Sequence, residues 1–370
     1  MRVGILTYHR SINYGAYIQA LFLQREIAAL TGHEVEIIDY DSASSRKHFR
    51  KDLLLGSTGR KIHNIRRHLM FRRMQKKLPI SKESLVTDDV SLFREFIGDR
   101  YDLVIVGSDE VWNIGGLRPF PNPYWLPDTG CRKAAYAASG RNDIGDLDAG
   151  TKDAIKKYLG DFEFISVRDS VTGDMIDTLL PERSKASIVC DPVMAYDISF
   201  DHEEGRRLLR EKFGTEPDKK VIAVMDSTGE IVGNLDRDES VQFISLYSYY
   251  KGFRNDPDVT PEEWMQIIAA SDGLITAFFH GMCIALKSNT PFLYVEERDV
   301  KENRYSKGYD LMNRNGITDR YVYHADSGIK NRIDEFVNKA VSECDEAAFD
   351  EIVKNERSRF ESFKNYITDI

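Results

Sequence analysis

Residues 269–287, AASDGLITAFFHGMCIALK, pass from a short apolar strand (272–276) into an apolar helix (282–287) across a turn that carries His280-Gly281. A strand that is apolar along its whole length is buried on both faces, which suits a parallel sheet covered by helices. Glycine at such a turn lets the backbone approach a ligand closely, and the helix start offers unpaired N–H groups to an anion. A histidine there can change protonation state near neutral pH. Taken alone, the pair reads as a surface or capping histidine. What lifts it is that other strands of this chain end in the same manner.

The same strand-then-helix order runs through both halves. Residues 2–7 form an apolar strand, 8–15 a polar loop, and 16–30 a helix with Ile18, Leu21, Phe22 and Ala29 at helical spacing and Gly32 as its stop. A strand over 34–40 completes a β-α-β start, for which a right-handed crossover is expected. Further strands are expected at 101–106, 133–139, 162–167, 186–190, 220–225, 241–246 and 291–295. Helices are expected at 91–98, 148–159, 169–180, 303–315 and 329–343. Thr260-Pro-Glu-Glu263 is a strong helix start, with an N-cap, a first-turn proline and an acid at the capping-box position.

This alternation predicts an α/β protein of two doubly wound Rossmann-like domains facing a cleft. The expected division is 1–195 and 196–345, with a charged helix over 346–370 that packs back on the first domain. Ligands of such sheets bind beyond the carboxyl ends of the strands. The polar residues standing there are Asn13, Gly15, Ser108, Asp109, Arg168 and His280.

Charge and cysteine usage narrow the class. The net charge of −9 hides twelve bases and one acid within 46–78, which is +11 against −20 for the remainder. That block is expected to be helical, with Phe49, Leu53, Ile62, Ile65, Leu69 and Met74 among its bases. It reads either as a solvated helix of the first domain or as a surface for an anionic membrane or a lipid-diphosphate. No aromatic platform accompanies it, so nucleic acid is not expected as a partner. Cys131, Cys190, Cys283 and Cys344 lie far apart without a CxxC, as in a reduced, cytoplasmic protein. No signal peptide, membrane span, GxGxxG, Walker sequence or convincing metal-ligand spacing is read in the chain.

Six short stretches, in order along most of the chain, resemble the polysaccharide pyruvyl transferase family. They are NYGAYIQ (13–19), YDLVIVGSDEVWN (101–113), AYAAS (135–139), ISVRD (165–169), CDP (190–192) and FHG (279–281). The resemblance implies a glycosyltransferase-B type fold. It also implies transfer of a pyruvyl group from phosphoenolpyruvate to a sugar of a surface polysaccharide or its precursor, with no cofactor beyond that donor. Two positions depart from the pattern. Glu110 stands where the family commonly has Gln, and Phe278 where some members have an arginine, which therefore is not carried over.

On that reading His280 and Asp109 are the catalytic candidates, as proton donor and as base or acceptor-orienting group. Arg168, Gly281, Arg304 and Lys307 are expected to bind the anionic donor. Asn13, Gly15, Ser108, Glu110, Trp112 and Asn113 are expected to bind the saccharide acceptor, lipid-linked or free. Each has a plainer alternative: Arg168 beside Asp169 as a helix-start ion pair, Asp109 as a turn cap, Asn13 as a loop former. Trp112 and Trp125 are equally core residues, and Arg304 and Lys307 equally solvated. A nucleotide-sugar glycosyltransferase of the same fold and a non-catalytic sugar-binding relative are the competing functions.

Overall fold

The computed structural model describes residues 1–183, 185–236, 239–339 and 346–370, and backbone only for residue 52. Cys344, and the end of the helix expected over 329–343, lie outside the described residues. The chain divides into two compact units. Unit 1 is Met1–Asp52, Gln75–Tyr196 and Glu356–Ile370; unit 2 is Leu53–Met74 and Asp197–Asn355.

Unit 1 begins with β1 (Arg2–Leu6), α1 (Tyr14–Thr31), β2 (Glu34–Asp41) and α2 (Ala43–Asp52). After α3 (Thr58–Gln75), which belongs to unit 2 except for its last residue, come β3 (Ile80–Val86), α4 (Val90–Ile97), β4 (Leu103–Val106) and β5 (Arg132–Ala138). Then follow α5 (Ala149–Gly160), β6 (Phe164–Val167), α6 (Ser170–Leu179), β7 (Ser187–Ile188) and α7 (Pro192–Ala195). The strands pair in parallel throughout, in the order β3-β2-β1-β4-β5-β6-β7. β4 is LVIV, buried at every residue, as a central parallel strand covered on both faces must be.

Helix α1 shows how the local sequence sets an element. Asn13 is extended and its side chain accepts the Ala16 N–H; Gly32, left-handed at φ 64°, ends the helix by donating to the Ala28 carbonyl.

Unit 2 contains α8 (His202–Phe213), β8 (Lys220–Met225), α9 (Glu230–Gly233), β9 (Val241–Ser245), β10 (Arg254–Asn255) and α10 (Pro261–Ala270). It continues through β11 (Gly273–Thr276), α11 (Phe279–Lys287), β12 (Phe292–Glu296), α12 (Lys307–Arg314), β13 (Tyr321–Tyr323) and α13 (Ile329–Lys339). Its parallel sheet runs β10-β9-β8-β11-β12-β13. The capping box at Thr260 and Glu263 forms as the sequence predicts.

Three elements differ from expectation. The basic block is two helices, α2 and α3, separated at 53–57, and residues 53–74 belong to unit 2 rather than to the first domain. Their buried side chains, not their charges, decide this: His63 and Arg67 reach the Tyr247 carbonyl. The charged terminal segment is also two helices, α14 (Glu346–Ser358) and α15 (Glu361–Thr368). α15 packs on unit 1 through Phe363 against Tyr136 (4.5 Å) and Tyr366 stacked on Phe164 (4.7 Å). Helix α11 begins at Phe279, so His280 lies inside its first turn rather than in the turn before it.

Helices α8 and α10 touch at Gly205, where an added Cβ would stand 2.3 Å from the Gln266 carbonyl oxygen and 2.5 Å from the Ala270 Cβ. Gly205→Ala should therefore lower the thermal unfolding temperature. The helix-propensity gain of about 1 kcal/mol is outweighed by an overpacking cost of about 1–3 kcal/mol. An unchanged or raised unfolding temperature would show that the two helices separate freely.

Candidate functional site

In unit 1 the strand order reverses between β1 and β4, and the residues that follow these two strands meet. Thr7 Oγ1 donates to the Ser108 carbonyl (2.9 Å), and Gln19 Nε2 of α1 donates to Thr7 Oγ1 (2.8 Å). Tyr8 OH donates to the Glu110 carbonyl (2.7 Å). Gly107, at φ 111°, has no room for a side chain: a Cβ would lie 2.2 Å from the Tyr136 carbonyl oxygen.

Arg168 is 1 % exposed, and its guanidinium is held by two carboxylates, Asp191 (2.7 Å) and Asp109 (3.4 Å). Burial works against its charge, but Asp191 and Asp109 outweigh burial and push its pKa up. Ser108 Oγ completes the group by donating to Asp191 (3.3 Å). Neither the helix-start pair with Asp169 nor an open anion fork describes this arginine. Asp169 caps α6 instead, accepting from Thr172.

The remaining unit 1 candidates separate clearly. Asp109 stays partly accessible, its side chain 14 % exposed, in a left-handed turn at φ 89° where its carboxylate accepts the Glu110 N–H. Glu110 pairs with Arg141 at 2.9 Å, so the extra negative charge at this position has its own counter-charge. Trp112 is wholly buried, stacked on Trp125 (5.6 Å) with its Nε1 donating to the Tyr124 carbonyl. It is a core residue and presents no face to a sugar. Asn13 caps α1, Gly15 is buried in its first turn, and Asn113 is half-buried after β4.

Sequence reasoning missed Arg118. Its guanidinium lies 3.8 Å over the Tyr8 ring and 5.5 Å from the Tyr124 ring. Its Nε is buried with no hydrogen-bond partner among the described residues. Burial opposes its charge; Tyr8, Tyr124, Tyr40 and Asp41 together outweigh that and raise its pKa. On β2, Asp39 accepts from His9 Nε2 (3.2 Å) and from Arg10, which hold its carboxyl below the usual range despite burial. Aromatic rings around a half-buried cation thus occupy the ends of β1 and β2.

In unit 2 the order reverses between β8 and β11. His280 is 6 % exposed in the first turn of α11, and Thr276 Oγ1 accepts the Phe278 N–H (2.9 Å) just before it. Gly281 lets that turn settle on the sheet: a Cβ would lie 2.9 Å from Thr276 Oγ1 and 3.0 Å from Met225 Sδ. Lys307, at the start of α12, places its Nζ 5.6 Å from the centre of the Phe279 ring. Arg304 instead lies exposed, paired with Glu302 (3.0 Å) and bonded to the Tyr305 hydroxyl (3.1 Å).

Two carboxylates join this edge that the sequence reading did not select. Asp226, fully buried after β8, accepts from the Gly229 (2.6 Å) and Val232 (2.8 Å) N–H groups. Glu297, after β12, accepts from Ser227 Oγ (2.5 Å). Burial, a hydrogen bond with Asp226 and the charge of Asp226 push the Glu297 carboxyl up to about 8, so it carries a proton at neutral pH. Both directly follow strands, β8 and β12, and so obey the same strand-end rule as Ser108 and His280. No group of three or more His, Cys, Asp or Glu that could hold a metal occurs among the described residues.

Two outcomes follow. Arg168→Ala should cost about 3–5 kcal/mol of stability, because it leaves Asp191 buried without a counter-charge; a fully stable variant would restore the reading of Arg168 as a spare anion site. Glu297 binds a proton in the fold between its ordinary value of 4.5 and about 8, where the unfolded chain has released it. Its contribution to stability is therefore complete below pH 4.5 and is lost as pH rises to about 8. Glu297→Gln should flatten that slope in denaturation measured across this window, and an unaltered slope would place the titration elsewhere.

The polysaccharide pyruvyl transferase family matches residues 13–299 of the chain. No match is found among curated protein sequences. Among solved structures, the N-terminal domain of Candida albicans trehalose-6-phosphate phosphatase aligns with TM-score 0.52 at 11 % identity, covering 100 % of this chain and 96 % of its own. HepE of Anabaena in complex with UDP aligns with TM-score 0.50 at 11 % identity, over 100 % and 98 %. A putative UDP-N-acetylglucosamine 2-epimerase from Listeria monocytogenes gives 0.50 at 8 % identity, over 98 % and 94 %. Such distant likenesses speak to fold, and they agree with the two Rossmann-like units of the glycosyltransferase-B type. The matched span runs from the cap of α1, through the Ser108–Asp109–Arg168–Asp191 cluster, to the His280 turn and Glu297, so the chain belongs to the polysaccharide pyruvyl transferase family, whose members are polysaccharide-modifying transferases.

Proposed function

We propose that this protein transfers the pyruvyl group of phosphoenolpyruvate to two hydroxyls of a sugar in a surface polysaccharide or its precursor, forming a pyruvate ketal. The observation that carries this reading is His280, set by Gly281 in the first turn of α11 where unit 2 reverses its strand order. In the reaction C3 of the donor takes a proton and becomes a methyl group, and C2 becomes cationic. The bond from C2 to the phosphate oxygen breaks, and two sugar oxygens bond to C2 in its place. The two hydroxyl protons balance the one gained at C3 and the one carried away on phosphate.

Unit 2 takes the donor in this reading. The first-turn N–H groups of α11 and the ammonium of Lys307 suit an anion. Protonated His280 donates to C3 or to the departing phosphate. Glu297, whose carboxyl burial and Asp226 push up to about 8, is a second proton donor at the same edge of the sheet. Unit 1 takes the acceptor, with Asp109 receiving or orienting a hydroxyl and the half-buried Arg118 and Tyr8 offering a cation and a ring to a sugar. Arg168 holds Asp109 in place through their ion pair and does not itself touch the donor.

Phosphate release from phosphoenolpyruvate, measured with lipid-linked and nucleotide-linked sugars as acceptors, tests the reading. His280→Gln should lower the rate by about 10²–10⁴ with donor affinity largely kept. Near-parental turnover in the Gln variant would move the proton donor to Glu297, for which Glu297→Gln is the matching variant. Release of a nucleoside diphosphate from a sugar nucleotide, with no phosphate from phosphoenolpyruvate, would overturn the donor assignment.

A further inference from the structure

Helix α3 has a buried face and an exposed apolar stripe. The buried face carries His63, Arg67, Met70, Phe71 and Met74. On the opposite side Ile62, Ile65 and Leu69 stand 55 %, 43 % and 56 % exposed, spaced i, i+3 and i+7 in a single stripe. Leu54 and Leu55, in the turn leading to the helix, are 66 % and 57 % exposed. These five account for half of the ten exposed large hydrophobics among the described residues, so the apolar exposure is concentrated here rather than scattered.

The charges on α3 follow the stripe. The helix carries six bases and no acid. At 100° per residue, Lys61 and Arg72 border the stripe on one side, Arg66 and Arg73 on the other. All four are exposed. Arg66 also pairs with Asp258; Lys61, Arg72 and Arg73 form no ion pair among the described residues.

We propose that the outward face of α3 docks on an anionic lipid bilayer, with Ile62, Ile65 and Leu69 entering the headgroup boundary and the bordering bases at the lipid phosphates. An apolar stripe with bases on both flanks suits a helix lying in the plane of an interface, because long Lys and Arg stems reach up from the apolar layer to the headgroups. The absence of any acid on the helix leaves nothing to repel a uniformly negative surface. The inner face of the same helix ties it to the unit 2 site. Arg67 lies 4.0 Å over the Tyr247 ring and donates to the Tyr247 carbonyl (3.1 Å), and Tyr247 packs 4.2 Å from Phe278, two residues before His280. Docking through α3 would hold that site at the surface where a lipid-linked saccharide is presented. The docking inference itself stands on the exposed face of α3 and not on the identity of the donor.

Sedimentation of the full chain with vesicles of phosphatidylcholine alone, or of the same lipid mixed with phosphatidylserine, tests it. The parent should sediment with the mixed vesicles only, and less as salt is raised. Ile62→Ser combined with Ile65→Ser and Leu69→Ser should abolish binding with at most a modest fall in the unfolding temperature, since about half of each side chain is already in water. Lys61→Gln with Arg72→Gln and Arg73→Gln should weaken it by about fivefold per base, which keeps the test decisive if the apolar variant misfolds. Equal sedimentation with both vesicle types, or with neither, would overturn the proposal. So would a solution dimer that the apolar substitutions dissolve in a protein that ignores vesicles, because the face would then join two copies of the chain.

Discussion

Parallel pairing is the constraint from which the placement of every functional group follows. Each strand of a parallel sheet must be reached by a crossover, so all the residues that leave strands collect on one edge. Where the order reverses, the crossovers on either side run apart and open that edge to a ligand. Unit 1 reverses between β1 and β4, unit 2 between β8 and β11. Thr7, Ser108 and Asp109 meet at the first reversal, and Asp226 and His280 flank the second. Both groups rest on short apolar strands and on glycines where backbones crowd, with Asp109 added in a left-handed turn at the first.

The unit 1 edge is fixed by the buried guanidinium of Arg168. A charge that is 1 % exposed is costly unless its partners are close and oriented, and Asp191 supplies a bond at 2.7 Å from the start of α7. Asp191 also caps α7 by accepting the Val193 N–H, so one carboxylate serves the helix, Arg168 and Ser108 together. The result is a rigid cluster whose one accessible member is Asp109. An arginine at a strand end is therefore not a ligand contact by position alone; burial and partners decide its role.

The strands β1, β4, β8, β11 and β12 were legible because each is a short, largely apolar run that a doubly covered sheet requires, and β2 because Val35, Ile37, Ile38 and Tyr40 follow closely on the stop of α1. β3, ISKESLV, was not: as an edge strand it exposes most of its side chains, and its charges hide the pairing with β2. β7, β10 and β13 depend on sheet neighbours more than on their own two or three residues. The sequence pattern puts the start of α11 three residues late, because Phe279 and His280 read as turn residues next to glycine. Arg118 sits in a Gly-, Pro- and aromatic-rich loop with no periodicity, so its approach to Tyr8 exists only in three dimensions. Glu297 was within reach, since it directly follows an apolar strand. The pairing of Glu110 with Arg141 also could not be read, being thirty-one positions apart without a motif.

Phe278 shows how a substitution within a family pattern can be answered from elsewhere in the chain. Some members of the family place a cation two residues before the histidine; here an aromatic ring takes that position. The ring packs on Tyr247, and Tyr247 carries the guanidinium of Arg67, 7 % exposed and bonded to the Tyr247 carbonyl. A ring face attracts a cation through its quadrupole, most strongly where water is excluded. The positive charge near this edge thus sits on Arg67 of α3, over a Tyr247 ring that packs at 44° against Phe278, and not on the loop itself. That arrangement gives α3 a reason to belong to unit 2 that its charge count does not supply. One helix then carries bases on both faces for different purposes, inward as a packed cation beside the His280 turn and outward along an apolar stripe.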